Sequence, residues 1–207
     1  MAYLGTQPND VKKNIGLYTP SEILQLTKEG SWGGSLELIE EQTYSSAVSF
    51  VDFTNINEST YDIHFVTTNN LKPTTDTNFN LNFYESGVLE TASVYQWARQ
   101  YNQNNGGNGT QNSTAVAGIQ LCNTLGSATN ETGQGYVYIY NAGNSSKYTF
   151  CNFQDVVLDN NGIFTQTFGG GVYPTAEVNN AFQIEASAGN ITDATMKLYG
   201  VKQLWVL

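Results

Sequence analysis

The feature that most constrains this chain is a succession of short segments in which apolar and polar residues alternate, separated by clusters of Asn, Gly and Asp. Tyr61, Ile63 and Phe65 alternate with Asp62 and His64, and Phe79, Leu81 and Phe83 with Asn80 and Asn82. Phe182, Ile184 and Ala186 alternate with Gln183 and Glu185, and Ala194, Met196 and Leu198 with Thr195, Lys197 and Tyr199. A period of two sends alternate side chains to opposite faces of an extended backbone, the pattern of a half-buried strand. Other runs, SLELIEE, AVSFVDF, GIQLC, YVYIYNA, KYTFCNF and IFTQTF, are strand-like but apolar on both faces or shifted in phase, as inner or bulged strands are. The turn signals NN, GN and DNNG lie between them, and Gly169, Gly170 and Gly171 read as a flexible bend. About ten strands punctuated this way predict an all-β chain, an antiparallel β-sandwich of jelly-roll-like form. One segment departs from the pattern. In TASVYQWARQY, Val94, Trp97, Ala98 and Tyr101 fall at helical spacing, which predicts a short helix followed by a polar loop over NQNNGGNGTQNST.

The start of the chain differs in kind. Residues 1–34 show no sustained period until TPSEILQLTKEG, where Thr19 fits an N-cap, Pro20 the first helical position, Glu22 a capping box and Gly30 a stop. The expected organisation is an N-terminal docking arm with one short helix, residues 1–34, ahead of a β-sandwich domain, residues 35–207. Ile23, Leu24 and Leu26 give the helix an apolar side too small to form a core, so they are the candidate attachment residues. The last four residues, Leu204, Trp205, Val206 and Leu207, follow a break in alternation at Gly200, Lys202 and Gln203. An apolar tail on a polar protein predicts a contact between subunits.

Charge narrows the partners. Only 13% of residues are charged, about half the usual share, so most surface polarity is carried by Asn, Thr, Ser, Gln and Gly. The formal net charge is −10 and the sequence pI about 4.3, which disfavours phosphate backbones and anionic lipid. Neither nucleic acid nor membrane is an expected partner. No run approaches the roughly 18 apolar residues of a membrane span, and MAYLGTQPNDVKK lacks the apolar centre of a secretory signal, so a soluble protein made in a cytosol is expected. Cys122 and Cys151 sit in apolar segments and are expected to be reduced and buried.

Few residues suggest chemistry. His64 is the only histidine, and with Asp62 it is expected to form a solvent-facing or interface pair. No Gly-x-Ser-x-Gly nucleophile elbow occurs. Glu37, Glu40, Glu41, Asp52, Asp155 and Asp159 could supply a glycosidase pair, but nothing in the sequence places any two together and most are expected to be solvated. DVVLDNNG lacks the ligand spacing of a calcium loop and reads as a turn. Trp97 and Tyr101, beside an Asn-rich segment, combine aromatic faces with amides in a way that suits a hydroxyl-rich ligand. The simpler reading places both in the core. No enzyme activity, cofactor or metal is expected.

The segments ILQLTKEGSWGGSLELIEEQT, YDIHFVTTNNL with its following Pro/Thr/Asp turn, NFYESGVLETASVYQWA and KLYGVK together resemble virion structural proteins of marine tailed bacteriophages, cyanophages in particular. The resemblance runs from Ile23 to Lys202. It implies a non-enzymatic part displayed on the particle exterior, a capsid decoration or a fibre-associated module. Its partners would then be other virion proteins of head or tail and further copies of itself, with a trimer as one form. The alternatives are a carbohydrate- or host-receptor-binding module of the tail using Trp97 and Tyr101, and a glycan-degrading enzyme working through two carboxylates.

Overall fold

In a computed structural model of the chain, the described residues are 19–28 and 36–201. They belong to two units, Met1–Ser35 and Leu36–Leu207. In the first, helix α1 spans Pro20–Lys28. Its start is the capping box that the sequence suggests: the Glu22 N–H donates to Thr19 Oγ1 (3.3 Å) and the Thr19 N–H to Glu22 Oε2 (2.6 Å). Two donors left over at a helix start are thereby satisfied, and the backbone bond from Thr19 holds the Glu22 carboxyl below its ordinary pKa.

The second unit is an antiparallel β-sandwich. Its strands are β1 (Leu36–Tyr44), β2 (Phe50–Phe53), β3 (Ile63–Pro73), β4 (Phe79–Glu85), β5 (Val88–Leu89), β6 (Tyr95–Gln103), β7 (Asn108–Val116), β8 (Ile119–Gln120), β9 (Gly133–Tyr140), β10 (Tyr148–Leu158), β11 (Phe164–Ala176), β12 (Asn179–Ala186) and β13 (Ile191–Val201). The large sheet has eight strands in the order β1-β13-β3-β9-β10-β11-β6-β7. The small sheet runs β2-β12-β4-β5, with β8 also paired to β4.

The core lies between the two sheets. Val51, Phe53, Leu81, Phe83, Phe182 and Ile184 of the small sheet and Val66, Val137, Ile139, Phe153, Met196 and Leu198 of the large one are all buried. Phe53 stacks on Phe182 with ring centroids 4.9 Å apart. Removing this much apolar area from water is what holds the sheets together. On the polar side of the small sheet two residues are also buried, against the expectation for a half-buried strand. Asn82 is buried and donates to the Ala117 carbonyl, while buried Gln183 donates to Asp52 Oδ1 (2.8 Å).

Four further expectations are corrected. TASVYQWARQY is strand β6 rather than a helix, because Tyr95, Trp97, Arg99 and Tyr101 share the inward face. Ala98 is exposed and Arg99 is buried, which completes a period of two. The expected long polar loop is a turn at residues 104–107, closed by the Gln103 N–H on the Gly107 carbonyl (2.7 Å), followed by β7. As an edge strand, β7 has little to bury and so carries no apolar pattern. Gly169, Gly170 and Gly171 lie inside β11, paired on one side with Arg99, Ala98 and Trp97 and on the other with Phe153, Asn152 and Cys151. A Cβ on Gly169 would meet the Ala98 carbonyl at 2.5 Å, and one on Gly171 the Ile119 side chain at 2.6 Å. These glycines admit close neighbours rather than a bend.

The fourth correction concerns His64. It is fully buried, with its Nε2 2.6 Å from the Ile56 carbonyl, whereas Asp62 is exposed, so the two form no solvent-facing pair. In β3 the inward set is His64 and Val66, and Phe65 faces out. Cys122 and Cys151 are free and buried, as expected, and burial raises both thiols to about 12. The DNNG segment is a turn in which Asp159 Oδ1 accepts from the N–H groups of Asn161 (2.8 Å) and Ile163 (3.0 Å). No helix among the described residues is long and apolar enough to cross a membrane.

Candidate functional site

Two surfaces of the sandwich concentrate side chains that could recognise a partner. The first is the outer face of the large sheet. Strand register aligns Tyr199, Phe65, Tyr138, Asn152, Gly170 and Ala98 in one cross-strand row. Lys197, Thr67, Tyr136, Gln154, Phe168 and Gln100 form the row on one side. Tyr140, Phe150, Val172 and Gln96 form the row on the other. Each strand contributes because its opposite parity is spent on the core.

The rings of this face touch one another. Phe65 lies 4.6 Å from Tyr138, 5.8 Å from Tyr136 and 6.1 Å from Tyr199 between centroids, and Tyr138 is 6.3 Å from Tyr140. These separations suit aromatic pairs. Two phenols are fixed by amides: Tyr136 Oη donates to Gln154 Oε1 (3.0 Å) and Tyr140 Oη to Asn152 Oδ1 (2.8 Å). Phe150 and Phe168 remain 45% and 42% exposed. Lys197 is the one charged residue in the three rows, and it pairs with Glu41 at 3.2 Å. A depression of about 560 Å³ opens among Phe65, Asn69, Gln134, Tyr136, Gln154, Lys197 and Tyr199.

The second surface is a polar cleft of about 510 Å³ near the β6–β7 end of the large sheet. It is lined by Asn78, Trp97, Arg99, Thr110, Gln111, Asn112, Gln120, Asn123 and Thr124. Arg99 is 4% exposed and anchors the lining. Its Nε and Nη2 donate to Gln111 Oε1 (3.0 and 2.5 Å), its Nη1 donates to the Cys122 carbonyl, and its guanidinium lies 5.1 Å from the centre of the Trp97 ring. Burial depresses its pKa, opposed by the neighbouring acidic groups Cys122 and Asp155.

Behind Arg99 stands Asp155. Its two carboxyl oxygens are buried, and burial pushes the carboxyl well above the ordinary range, against the pull of Arg99 and Thr167. Neither of its oxygens reaches hydrogen-bond geometry with a protein group, and nor does Thr167 Oγ1. The expectation that Asp155 is solvated is therefore wrong, as it is for Asp159, which is buried in its turn. Asp52 is half-buried and accepts from Tyr84 Oη (2.8 Å) and Gln183 Nε2 (2.8 Å). No group of three or more His, Cys, Asp or Glu suited to a metal occurs among the described residues.

The sequence-derived candidates fare unevenly. Trp97 is half-buried against the core and also lines the cleft, beside Asn112 of the Asn-rich segment, so the structure joins two features that the sequence places next to each other. Tyr101 does not line the cleft, since its ring packs over Gly109, where a Cβ would meet it at 2.7 Å. Leu24 is 56% exposed. The side chains of Ile23 and Leu26, and residues Leu204, Trp205, Val206 and Leu207, lie outside the described residues. The outer aromatic face is hidden in sequence because the strand YVYIY is apolar on both faces. Its signal was YVYIY, where Tyr136, Tyr138 and Tyr140 share a face opposite Val137 and Ile139.

No protein-family model matches the sequence, and neither does any curated protein. Among solved structures, the chain is similar to an exo-inulinase from Aspergillus awamori, with a TM-score of 0.36 and 10% identity. That match covers 81% of this chain and 30% of the inulinase chain. It is also similar to a human SPRY domain, with a TM-score of 0.33 and 9% identity over 84% of this chain and 96% of that one.

Proposed function

We propose that this chain is a non-enzymatic structural component of a tailed-phage virion, displayed on the particle exterior and seated there through the outer face of its large sheet. One observation carries the reading: a contiguous set of aromatic rings, nearly free of charge, lies on a face that the sandwich does not need for its own core. Apolar patches of this kind on a polar protein mark contacts with other macromolecules. Low charge also fits the centre of a protein interface, from which charged residues are depleted. The particle itself enters through the resemblance to marine phage virion proteins, which leaves capsid decoration and fibre-associated module as the two forms of the proposal.

The same reading assigns attachment to the arm that carries Ile23, Leu24 and Leu26, and subunit contact to Leu204, Trp205, Val206 and Leu207. Its partners are other virion proteins and further copies of the chain. Mass spectrometry and immunogold labelling of purified particles test it directly. The expected result is a stoichiometric band and regular labelling of head or tail. Abundant protein in the lysate with none on purified particles would overturn it.

A further inference from the structure

We infer that the polar cleft near the β6–β7 end of the large sheet is a binding site for a neutral oligosaccharide. This is independent of the particle assignment: the cleft lies at the β7 edge of the large sheet, where Trp97, Arg99 and Gln111 have the inward parity of β6 and β7. At about 510 Å³ the cleft falls within the range of small-ligand sites, roughly 300–1,000 Å³.

The chemistry of the lining selects the ligand. Asn78, Gln120 and Asn123 offer amides that both donate and accept, and Thr124 offers a hydroxyl. A sugar hydroxyl likewise does both, so each can be matched without a net charge on either side. No carboxylate lines the cleft, in a chain with 18 acidic residues. Its one cation, Arg99, already donates to Gln111 Oε1 and the Cys122 carbonyl and lies over Trp97. The guanidinium therefore acts as a fixed scaffold rather than as a receptor for anions, and the chain's charge of −10 further disfavours an acidic ligand.

The site is also rigid where it has to be. Trp97 is restrained by core packing and by Arg99 over one face of its ring, which holds the part of the indole that lines the cleft in place. Gln111 is oriented by the two bonds to its carbonyl oxygen, which leaves its amide nitrogen free to donate. Gly169 completes the support: a Cβ there would meet Arg99 Cβ at 2.7 Å, so the absence of a side chain lets Arg99 lie close against β11. Bound ligand would meet side chains already in place, which lowers the ordering cost of association.

The test uses the full chain on an array of neutral and acidic glycans, followed by calorimetric titration of whatever is retained. Retention of one or more neutral oligosaccharides is expected. Trp97→Leu and Asn123→Ala should each weaken it by about tenfold or more, and Gln154→Ala, on the outer face, should leave it unchanged. Asn123→Ala should keep the wild-type thermal midpoint, so it decides the matter even if Trp97→Leu fails to fold. The inference is overturned if no neutral glycan is retained, if only acidic glycans bind, or if binding survives the cleft variants and is lost in Gln154→Ala.

Discussion

The two faces of the large sheet are made by the same strands and are both rich in apolar residues, yet they differ in composition and in what covers them. The inner face carries Val66, Val137, Ile139, Phe153, Met196 and Leu198, mostly aliphatic and packed against the small sheet. The outer face carries Phe65, Tyr136, Tyr138, Tyr140 and Tyr199, whose polar tips and amide neighbours tolerate water. Aliphatic side chains have no use for water, so their face must be closed within the chain. Phenols and carboxamides can wait for a partner at small cost, because their hydrogen-bonding groups stay satisfied meanwhile. Inner residues should therefore govern stability, and outer residues should govern association.

The largest effect sets the scale. Leu198→Ala, a truncation in the buried core, should cost about 2–5 kcal/mol in urea unfolding. Phe150→Ala, at a ring 45% exposed, should cost less than about 1 kcal/mol. Similar losses from the two would break the distinction between the faces.

A sharper version compares neighbouring glycines of β11. Gly169→Ala places its methyl 2.5 Å from the Ala98 carbonyl on the inner side and should cost about 1–3 kcal/mol. Gly170→Ala projects outward, where the one near atom is the Cys151 carbonyl at 3.0 Å, so its loss should be smaller. A reversed order in thermal melts would show that the face assignment of β11 is wrong.

The third effect depends on pH. Folded Asp155 holds its proton while the unfolded chain releases it, so stability should fall as pH rises from about 4 toward the raised folded value. His64 acts in the opposite sense. Burial lowers its folded pKa, so stability should fall as pH drops through about 6.5 toward that lower value. Asp155→Asn should flatten the decline on the alkaline side and leave the His64 limb in place. Melting curves between pH 5 and 8 check this, and an unchanged alkaline slope in the variant would rule out a neutral buried carboxyl.

Much of the fold was legible because a period of two and a capping box are local. The alternation of Ala194, Met196 and Leu198 identifies their strand and its buried side, and Thr19 with Glu22 identifies the helix start. Where apolar residues occupy both parities, as at Ile63, Phe65 and Val66, alternation says strand but not which face is in, and a slip of one residue inverts the answer. The sandwich buries His64 and Val66 and leaves Phe65 outside. Arg99 was harder still, since a charged side chain in the interior depends on Gln111 and Cys122, which lie on other segments. The cleft was half legible: Trp97 and the Asn-rich segment adjoin in sequence, but Asn78, Gln120 and Asn123 arrive through strand pairing.

The claim that the outer face serves association rather than stability is tested most directly by the double variant Phe150→Glu, Phe168→Glu. Both rings are exposed, at 45% and 42%, and lie in the two outer rows that flank the row of Asn152 and Gly170. Thermal midpoint and occupancy on purified particles, measured on the same preparation, give the answer. The account predicts a midpoint within about 3 °C of wild type, as expected for surface substitutions, with occupancy lost because two carboxylates would have to be desolvated at the interface. Full occupancy with an unchanged midpoint would contradict it.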